Sequence, residues 1–505
     1  MKCHQISSVL ALTEMHNDAI GIELLDLVRY FDREALVDAM DELHKSKVEG
    51  KLYKLVFEMN RKTNIKVRNA VGESDAKETT ENICQGSIDG AIISSNNLSG
   101  GVEDYFSSSS SDHHYVSLRL LPQQYQGGLF CFVKNPVAAM EGNVRFESLA
   151  NAKLLEYNWK KSSIIILGKK KEREKLEEDF RENPPLLNGK PMKIESQGTY
   201  LGEEFGKSLT KSITLTINKR IGIAKKSIFD IKHIIEDCRS GAIGSISTGI
   251  LLWESCIASF LFNNASTWLE ISSSDLKRLS KIQNLFLNML LAVYKCPAVL
   301  MYWDLKMLVV PLRILKLKVM LYHHILSLSP RALSSKILHI QQDFHLPGLN
   351  LEVQSFLAKH QLFDIMSYSK GEWKLLVDRK IHSDNREFLI EWSKKYKKVD
   401  TLDLECENYE LKRYFLELDL ASSRLKFRER SGCLLTCRTA FPSDLENIRV
   451  SFKCFHCPFL DTGPSHWVNC IHYKQIIISK KLNIGLQDEL LTFYREVIKM
   501  RTQEI

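Results

Sequence analysis

LRLLPQQYQGGLFCFV, residues 118–133, reads as two apolar strands bent around a turn at Gln126-Gly127-Gly128; glycine at the bend supplies the backbone freedom that a tight hairpin needs. Working outward, GIELLDLV (21–28) is a short apolar run between polar flanks, and SSIIILG (162–168) is another. Uninterrupted apolar runs of this length are the pattern of strands covered on both faces. FDREALVDAMDELHKSK (31–47) has helical spacing through Leu36, Met40 and Leu43, and KKKEREKLEEDFRE (169–182) is a strongly charged helix or loop. NPPLLNGKPMKI (183–194) supplies turn chemistry before a further strand. SNNLSGGVEDYFSSSSSDHH (95–114) is low in complexity and reads as a flexible loop. From about residue 207 to 345 breakers are few and the pattern turns to long helices, among them the serine-capped ISSSDLKRLSKIQNLFLNMLLAVYK. The expected class is α+β: an antiparallel sheet with helices, then a helical bundle, then a small C-terminal domain.

Composition sets the limits. With 44% hydrophobic and 26% charged residues in 505, the chain has material for several cores and is not a disordered protein. The most apolar stretch, 299–328, carries Asp304, Lys306, Arg313, Lys316 and Lys318, so a membrane span is not expected. The N-terminal segment lacks an apolar run of signal-peptide length, which makes secretion unexpected and an intracellular place, nucleus or cytoplasm, the expectation. A formal charge of +8, from 69 basic and 61 acidic residues, permits a nucleic-acid partner without requiring one. Two basic clusters stand out: Lys394, Lys395, Lys397 and Lys398, and the alternating RLKFRER with Arg424, Lys426, Arg428 and Arg430. Each reads either as a solvated surface or as a contact for phosphates. On a strand, the second would aim four cations along one face.

Five of the 12 cysteines fall between Cys433 and Cys470. Within that region, Cys454-x2-Cys457-x8-His466-x3-Cys470 has the spacing of a closed tetrahedral zinc site. Four N and S ligands leave no open coordination position, so the expected Zn²⁺ is structural. His456 and His472 are competing ligands, and Cys433 and Cys437 are not needed.

Read in order, these segments resemble the reverse transcriptase of non-LTR (LINE-type) retrotransposons. LLDLVRYFD (24–32) is similar to palm motif A, D-x-x-K-A-F-D, with Arg29 and Tyr30 in place of Lys and Ala. The resemblance implies that Asp26 is the first metal-binding carboxylate and that Phe31 reads the sugar 2′ position. NICQGSIDGAIISS (82–95) looks like motif B, which implies that Gln85 and Gly86 pack near template and incoming nucleotide. Motif C is an aromatic, any residue, then Asp-Asp; here it reads Tyr125-Gln126-Gly127-Gly128, both aspartates being glycine. KLLEYNWKKSSIIILGKKK (153–171) resembles motif D, and TYLGEEF (199–205) the segment leading into the thumb. The cysteine–histidine array stands where the family carries a zinc knuckle. The family's endonuclease and finger segments have no counterpart in the 25 residues before Asp26.

The resemblance implies a partial palm over 1–205, a thumb-like helical domain over 206–345, a charged linker or helical region over 346–440, and the knuckle with a terminal helix over 441–505. The family's nucleotide addition uses Mg²⁺ held by carboxylates of motifs A and C together. With glycine at 127 and 128, Asp26 has no hairpin partner, and the expectation is an inactive polymerase remnant that still binds RNA or an RNA–DNA hybrid. Two alternatives stand beside it: an active enzyme using another carboxylate (Glu103, Asp104 and Asp112 lie in the polar loop), and a non-enzymatic zinc-stapled nucleic-acid or protein adaptor.

Overall fold

The computed structural model describes residues 18–26, 123–125, 128–152, 156–237, 245–269, 271–293, 296–330, 332–343, 348–396, 404–431, 433, 464–483 and 487–504, with short pieces of the first 80 residues. The segments expected as helix over 31–47, flexible loop over 95–114 and first hairpin strand from 118 lie wholly or largely outside these. The architecture is mixed α+β, as expected, with helix predominating. Two compact units are present: residues 1–216 with 267–271 and 325–352, and residues 217–266 with 272–324 and 353–505.

The first unit is built on a five-stranded sheet. Its strands are β1 (Ala19–Asp26), β2 (Gln123–Tyr125), β3 (Gly128–Val133), β4 (Ser163–Gly168) and β5 (Lys193–Glu195). The spatial order is β5-β4-β1-β3-β2, with β1 antiparallel to both β3 and β4 and β5 parallel to β4. Helix α1 (Pro136–Ala152) carries the chain from β3 to β4, which run in the same direction with β1 between them; this is a split β-α-β crossover. β1 is central and its residues 21–25 are all buried, which is why the sequence reads there as one apolar run and not as an alternation.

Side chains of β1 divide between the two faces by parity. Leu25 and Glu23 face the side on which Cys131, Val133, Ile164 and Ile166 gather against Ala139, Phe146 and Ala150 of α1 and against Leu176 and Phe180 of α2 (Lys170–Glu182). Ile22, Leu24 and Asp26 take the other face. The 169–182 segment is thus a helix, anchored by two apolar residues beneath an otherwise charged surface. Between β4 and α2 the chain turns at Gly168, with φ of +138° and a would-be Cβ only 2.4 Å from the Asp18 carbonyl oxygen. Glycine alone fits such a turn. The expected turn at 183–194 is an Asn188-Gly189 hairpin with both residues at positive φ, followed by β5.

The second unit is helical. Among its helices are α3 (Leu209–Asp237, which begins in the first unit), α4 (Ile246–Leu252), α5 (Ser273–Leu291), α6 (Ala298–Asp304), α7 (Val310–Leu326), and, beyond the first unit's α8 (Leu333–Asp343), α9 (Leu349–His360, most of it in the second unit), α10 (Lys370–Ser393) and α11 (Leu420–Arg430). α5 starts as its serines suggest, with Ser272 Oγ accepting from Asp275 N at 3.1 Å, and stops at Ala292 in the left-handed region. α10 opens on a capping box of Ser369 and Glu372. Thus residues 346–440 hold well-formed helices. The C-terminal elements α12 (Pro464–Asn469), α13 (Ile471–Ser479) and α14 (Gln487–Glu504) share a core of Trp467, Cys470, Tyr473, Leu491, Phe493, Tyr494 and Val497 with Leu425 of α11. Among the described residues, no helix is long and apolar enough to cross a membrane.

The basic segment RLKFRER is helical, so the strand arrangement that would aim its four cations along one face does not arise. Arg424 Nε donates to Leu290 O at 2.8 Å, and Arg428 Nε to Ala292 O at 2.9 Å. Both guanidinium groups therefore cap the C-terminus of α5, where carbonyls lack intrahelical partners and the helix dipole is negative. Arg430 is paired with buried Asp304 at 3.0 Å and with Glu407, and Lys426 with Glu429 at 2.7 Å. In the first cluster Lys394 pairs with Glu391 and Glu405, while Lys397 and Lys398 lie outside the described residues.

Candidate functional site

Asp26 is the last residue of the central strand, and the antiparallel register sets Gly128, the first residue of β3, directly opposite it. Directly opposed residues of an antiparallel pair project to the same face, their Cα atoms about 4.5–5.5 Å apart. The β2–β3 pairing ends with Tyr125 opposite Gly128. A carboxylate at position 128 would therefore stand beside Asp26. Among the described residues no cluster of three or more histidine, cysteine, aspartate or glutamate side chains is arranged to hold a metal ion.

The end of β1 is braced from the turn that precedes β4. Asp26 N donates to Ser162 Oγ at 3.0 Å, Ser162 Oγ donates to Asn158 O at 2.9 Å, and Asn158 N donates back to Asp26 O at 2.6 Å. These bonds fix the backbone and leave the Asp26 carboxylate half-exposed, with Lys161 Nζ at 3.8 Å. Burial raises the carboxyl above its ordinary value and the Lys161 ammonium opposes that rise. Farther along the same face, Gly198 of β6 (Gly198–Tyr200) sits over β1 and β4. Its would-be Cβ lies 2.7 Å from Leu24 Cδ1 and 2.6 Å from Ile165 Cδ1, so glycine lets the hairpin of β6 and β7 (Glu203–Phe205) approach closely.

Of the other sequence-derived residues, Phe31, Gln85, Gly86, Gly127, Cys454 and Cys457 lie outside the described residues. His466 and Cys470 are both buried, one helical turn apart, with Cys470 N donating to His466 O at 2.7 Å. Spacing of i and i+4 brings two side chains to one face of a turn, as a shared metal requires.

Sequence reasoning missed Glu23. It lies in the middle of β1, fully buried, opposite Cys131, and neither carboxylate oxygen has a hydrogen-bond partner. Desolvation pushes its pKa up to about 8, so the group is held as the neutral acid at pH 7. The one signal in the sequence was a glutamate inside an apolar run. Lys161 and Ser162 were also missed as partners of Asp26. They are brought to it by the β1–β4 pairing, 136 residues apart in the case of Ser162.

No family model matches the chain, and no curated protein matches it.

Proposed function

We propose that the first unit is a palm of the two-metal nucleotidyltransferase type with its second carboxylate position lost. The observation that carries this reading is the register that sets Asp26 opposite Gly128, where the β2–β3 pairing ends, in a split β-α-β sheet of order β4-β1-β3-β2. More particularly, we read the chain as a remnant of a non-LTR retrotransposon reverse transcriptase, on the order of its motifs A, B, C and D, the approach to the thumb, and the knuckle.

Asp26 alone has the role of a metal carboxylate in this reading. Mg²⁺, when bound in such a palm, stabilises charge on the transferred phosphoryl group, and it leans on one or two carboxylates plus substrate phosphates. Loss of both hairpin carboxylates leaves the chain without nucleotidyl transfer; even ~5 kcal/mol of lost transition-state stabilisation is several thousandfold in rate. Zn²⁺ held by Cys454, Cys457, His466 and Cys470 would staple the C-terminal helices, and the helical core around Trp467 and Tyr473 accords with that place for it.

Residual binding of RNA or an RNA–DNA hybrid is the surviving activity in this proposal. It draws support from α3, where Lys219, Lys225 and Lys226 are exposed beside Ile223 and Phe229, a mixture of cations and apolar groups suited to phosphates and stacked bases. The arginines of α11 do not contribute, because Arg424 and Arg428 cap α5 and Arg430 is paired with Asp304 and Glu407.

Primer extension on an RNA template with Mg²⁺ or Mn²⁺ tests the proposal. The chain is compared with a Gly127→Asp, Gly128→Asp double revertant. Extension by the revertant alone is the expected result. Extension by the unmodified chain refutes the loss of catalysis, and silence from both refutes the reading that the two glycines alone account for it.

A further inference from the structure

A cavity of about 360 Å³ in the second unit is lined by α7 and by the continuation of α4. Arg313, Lys316 and Leu317 come from α7, and their i, i+3, i+4 spacing sets them on one helix face. Glu254 and Ala258 belong to a π-helical turn (Trp253–Ala258) that extends α4, and Ser259 and Phe262 follow it. Turns widened in this way gather at functional sites. The rim is the turn at 263–266. Arg220 of α3 pins it by donating from Nη1 to Asn263 O, and Ala265 N donates to Phe262 O at 3.0 Å.

Arg313 is fixed at the cavity wall from two directions. Its Nη1 donates to Glu254 Oε2 at 2.7 Å and its Nη2 to Glu254 Oε1 at 2.5 Å, a bidentate pair that sets the guanidinium in the plane of the carboxylate. The guanidinium carbon stands 5.5 Å from the centre of the Phe262 ring. The second lining cation, Lys316, is paired with Asp378 at 2.5 Å. Each cation thus has its counter-ion, and no surplus of charge selects an anion. What the cavity presents is a rigid planar cation, apolar surface from Ala258, Leu308 and Leu317, and short polar side chains at Ser259, Asn263 and Ser266.

We propose that this cavity binds a single nucleobase, laid flat against the Arg313 guanidinium and hydrogen-bonded along its edge by Ser259, Asn263 and Ser266. A guanidinium plane is a stacking surface for an unpaired base. Amide and hydroxyl groups offer both the donors and the acceptors that a base edge needs. Ser259 Oγ donates to Ser255 O, which turns its lone pairs to the service of a base N–H. The volume stands at the small end of the roughly 300–1,000 Å³ range of small-molecule pockets, room for a nucleoside and not for a length of strand. The base belongs to a free nucleoside or to an unpaired nucleotide of an RNA strand, and its recognition is the same in both. The site is made entirely by the second unit and does not rest on the palm reading.

The test titrates the full chain into 2-aminopurine riboside and, separately, into a single-stranded uridine oligonucleotide carrying an internal 2-aminopurine, both followed by fluorescence anisotropy. Ser259→Trp, at an exposed position of the wall, fills the cavity without removing a core side chain. Arg313→Lys keeps the charge and loses the plane. Saturable binding of the riboside is expected, abolished by Ser259→Trp and weakened about tenfold or more by Arg313→Lys, with circular dichroism of both variants unchanged. Adding a 5′-phosphate to the riboside should alter its affinity by less than about threefold. If the riboside does not bind but Ser259→Trp lowers the affinity for the oligonucleotide, the base is that of a strand. Riboside binding that survives Ser259→Trp, or that inorganic phosphate displaces, overturns the proposal. So does a chain that binds no riboside and holds the oligonucleotide equally well with and without Ser259→Trp, a result that leaves RNA binding by α3 standing.

Discussion

Replacing Glu23 by methionine should stabilise the sheet unit increasingly as pH rises. The carboxyl is fully buried with both oxygens unpartnered, and its pKa is pushed up from 4.5 to about 8. The unfolded chain therefore releases this proton from about pH 4.5 upward, while the folded chain keeps it until about pH 8. Between those values the folded state binds more protons, so Glu23 lowers the stability of the fold as pH rises. At 1.36 kcal/mol per pH unit, the full interval amounts to about 5 kcal/mol, of which roughly 3 has accrued at pH 7. Methionine has a similar length and no charge to desolvate, so Glu23→Met removes the whole pH-dependent term. Urea unfolding of both proteins from pH 5 to 8, read by amide-exchange protection of the 19–26 strand, gives the difference curve. It should rise by somewhat more than 1 kcal/mol per pH unit up to neutrality and level off near pH 8. A flat difference curve would refute the reasoning, since it would mean that Glu23 is charged and solvated or paired in the folded protein.

Three further outcomes follow from the same geometry. Arg428→Ala strips the cap from Ala292 O, and the loss of a charged hydrogen bond at a helix end should cost about 1–3 kcal/mol in a denaturant titration, while RNA affinity stays unchanged. Gly168→Ala meets both the φ of +138° and the Asp18 carbonyl. It should destabilise by at least 1–3 kcal/mol, whereas Gly222→Ala, in the exposed middle of α3 with open space at its Cβ, should stabilise by about 0.5–1 kcal/mol; thermal melts that rank the two the other way would contradict the local account. Zinc analysis of protein purified without chelator should give about one ion per chain. His466→Ala and Cys470→Ala should each lose it together with the helical signal of 464–504, and full helicity without zinc would remove the metal from the account.

The sheet was legible because burial on both faces writes itself into sequence as unbroken apolar runs: the 21–28 and 162–168 segments became β1 and β4 to within two residues. The pairing of β2 with β3 was legible from the glycines between the two apolar runs. What stayed hidden depended on partners far away in the chain. RLKFRER alternates with the period of a strand, but Asp419 caps a helix there, with Ser422 N donating to its Oδ1 at 2.9 Å, and Leu425 and Phe427 are buried. Nothing local in that segment announces that its arginines meet carbonyls more than 130 residues earlier. Asp26 could be named from its place at a strand end, whereas its bracing by Ser162 and the opposition of Gly128 are products of register, which periodicity does not specify. Glu23 was read as one polar letter in an apolar word; its unpartnered state follows from what β3 and β4 set beside it.

The central claim is that Asp26 and the hairpin positions 127 and 128 form one metal-binding locus from which two carboxylates are missing. Mn²⁺ binding, followed by the paramagnetic resonance of the free ion, tests it directly on the full chain. The account predicts that the Gly127→Asp, Gly128→Asp protein gains a site that the unmodified chain lacks, and that adding Asp26→Ala abolishes it. A revertant site that survives loss of Asp26, or a revertant that gains no site, would contradict the account.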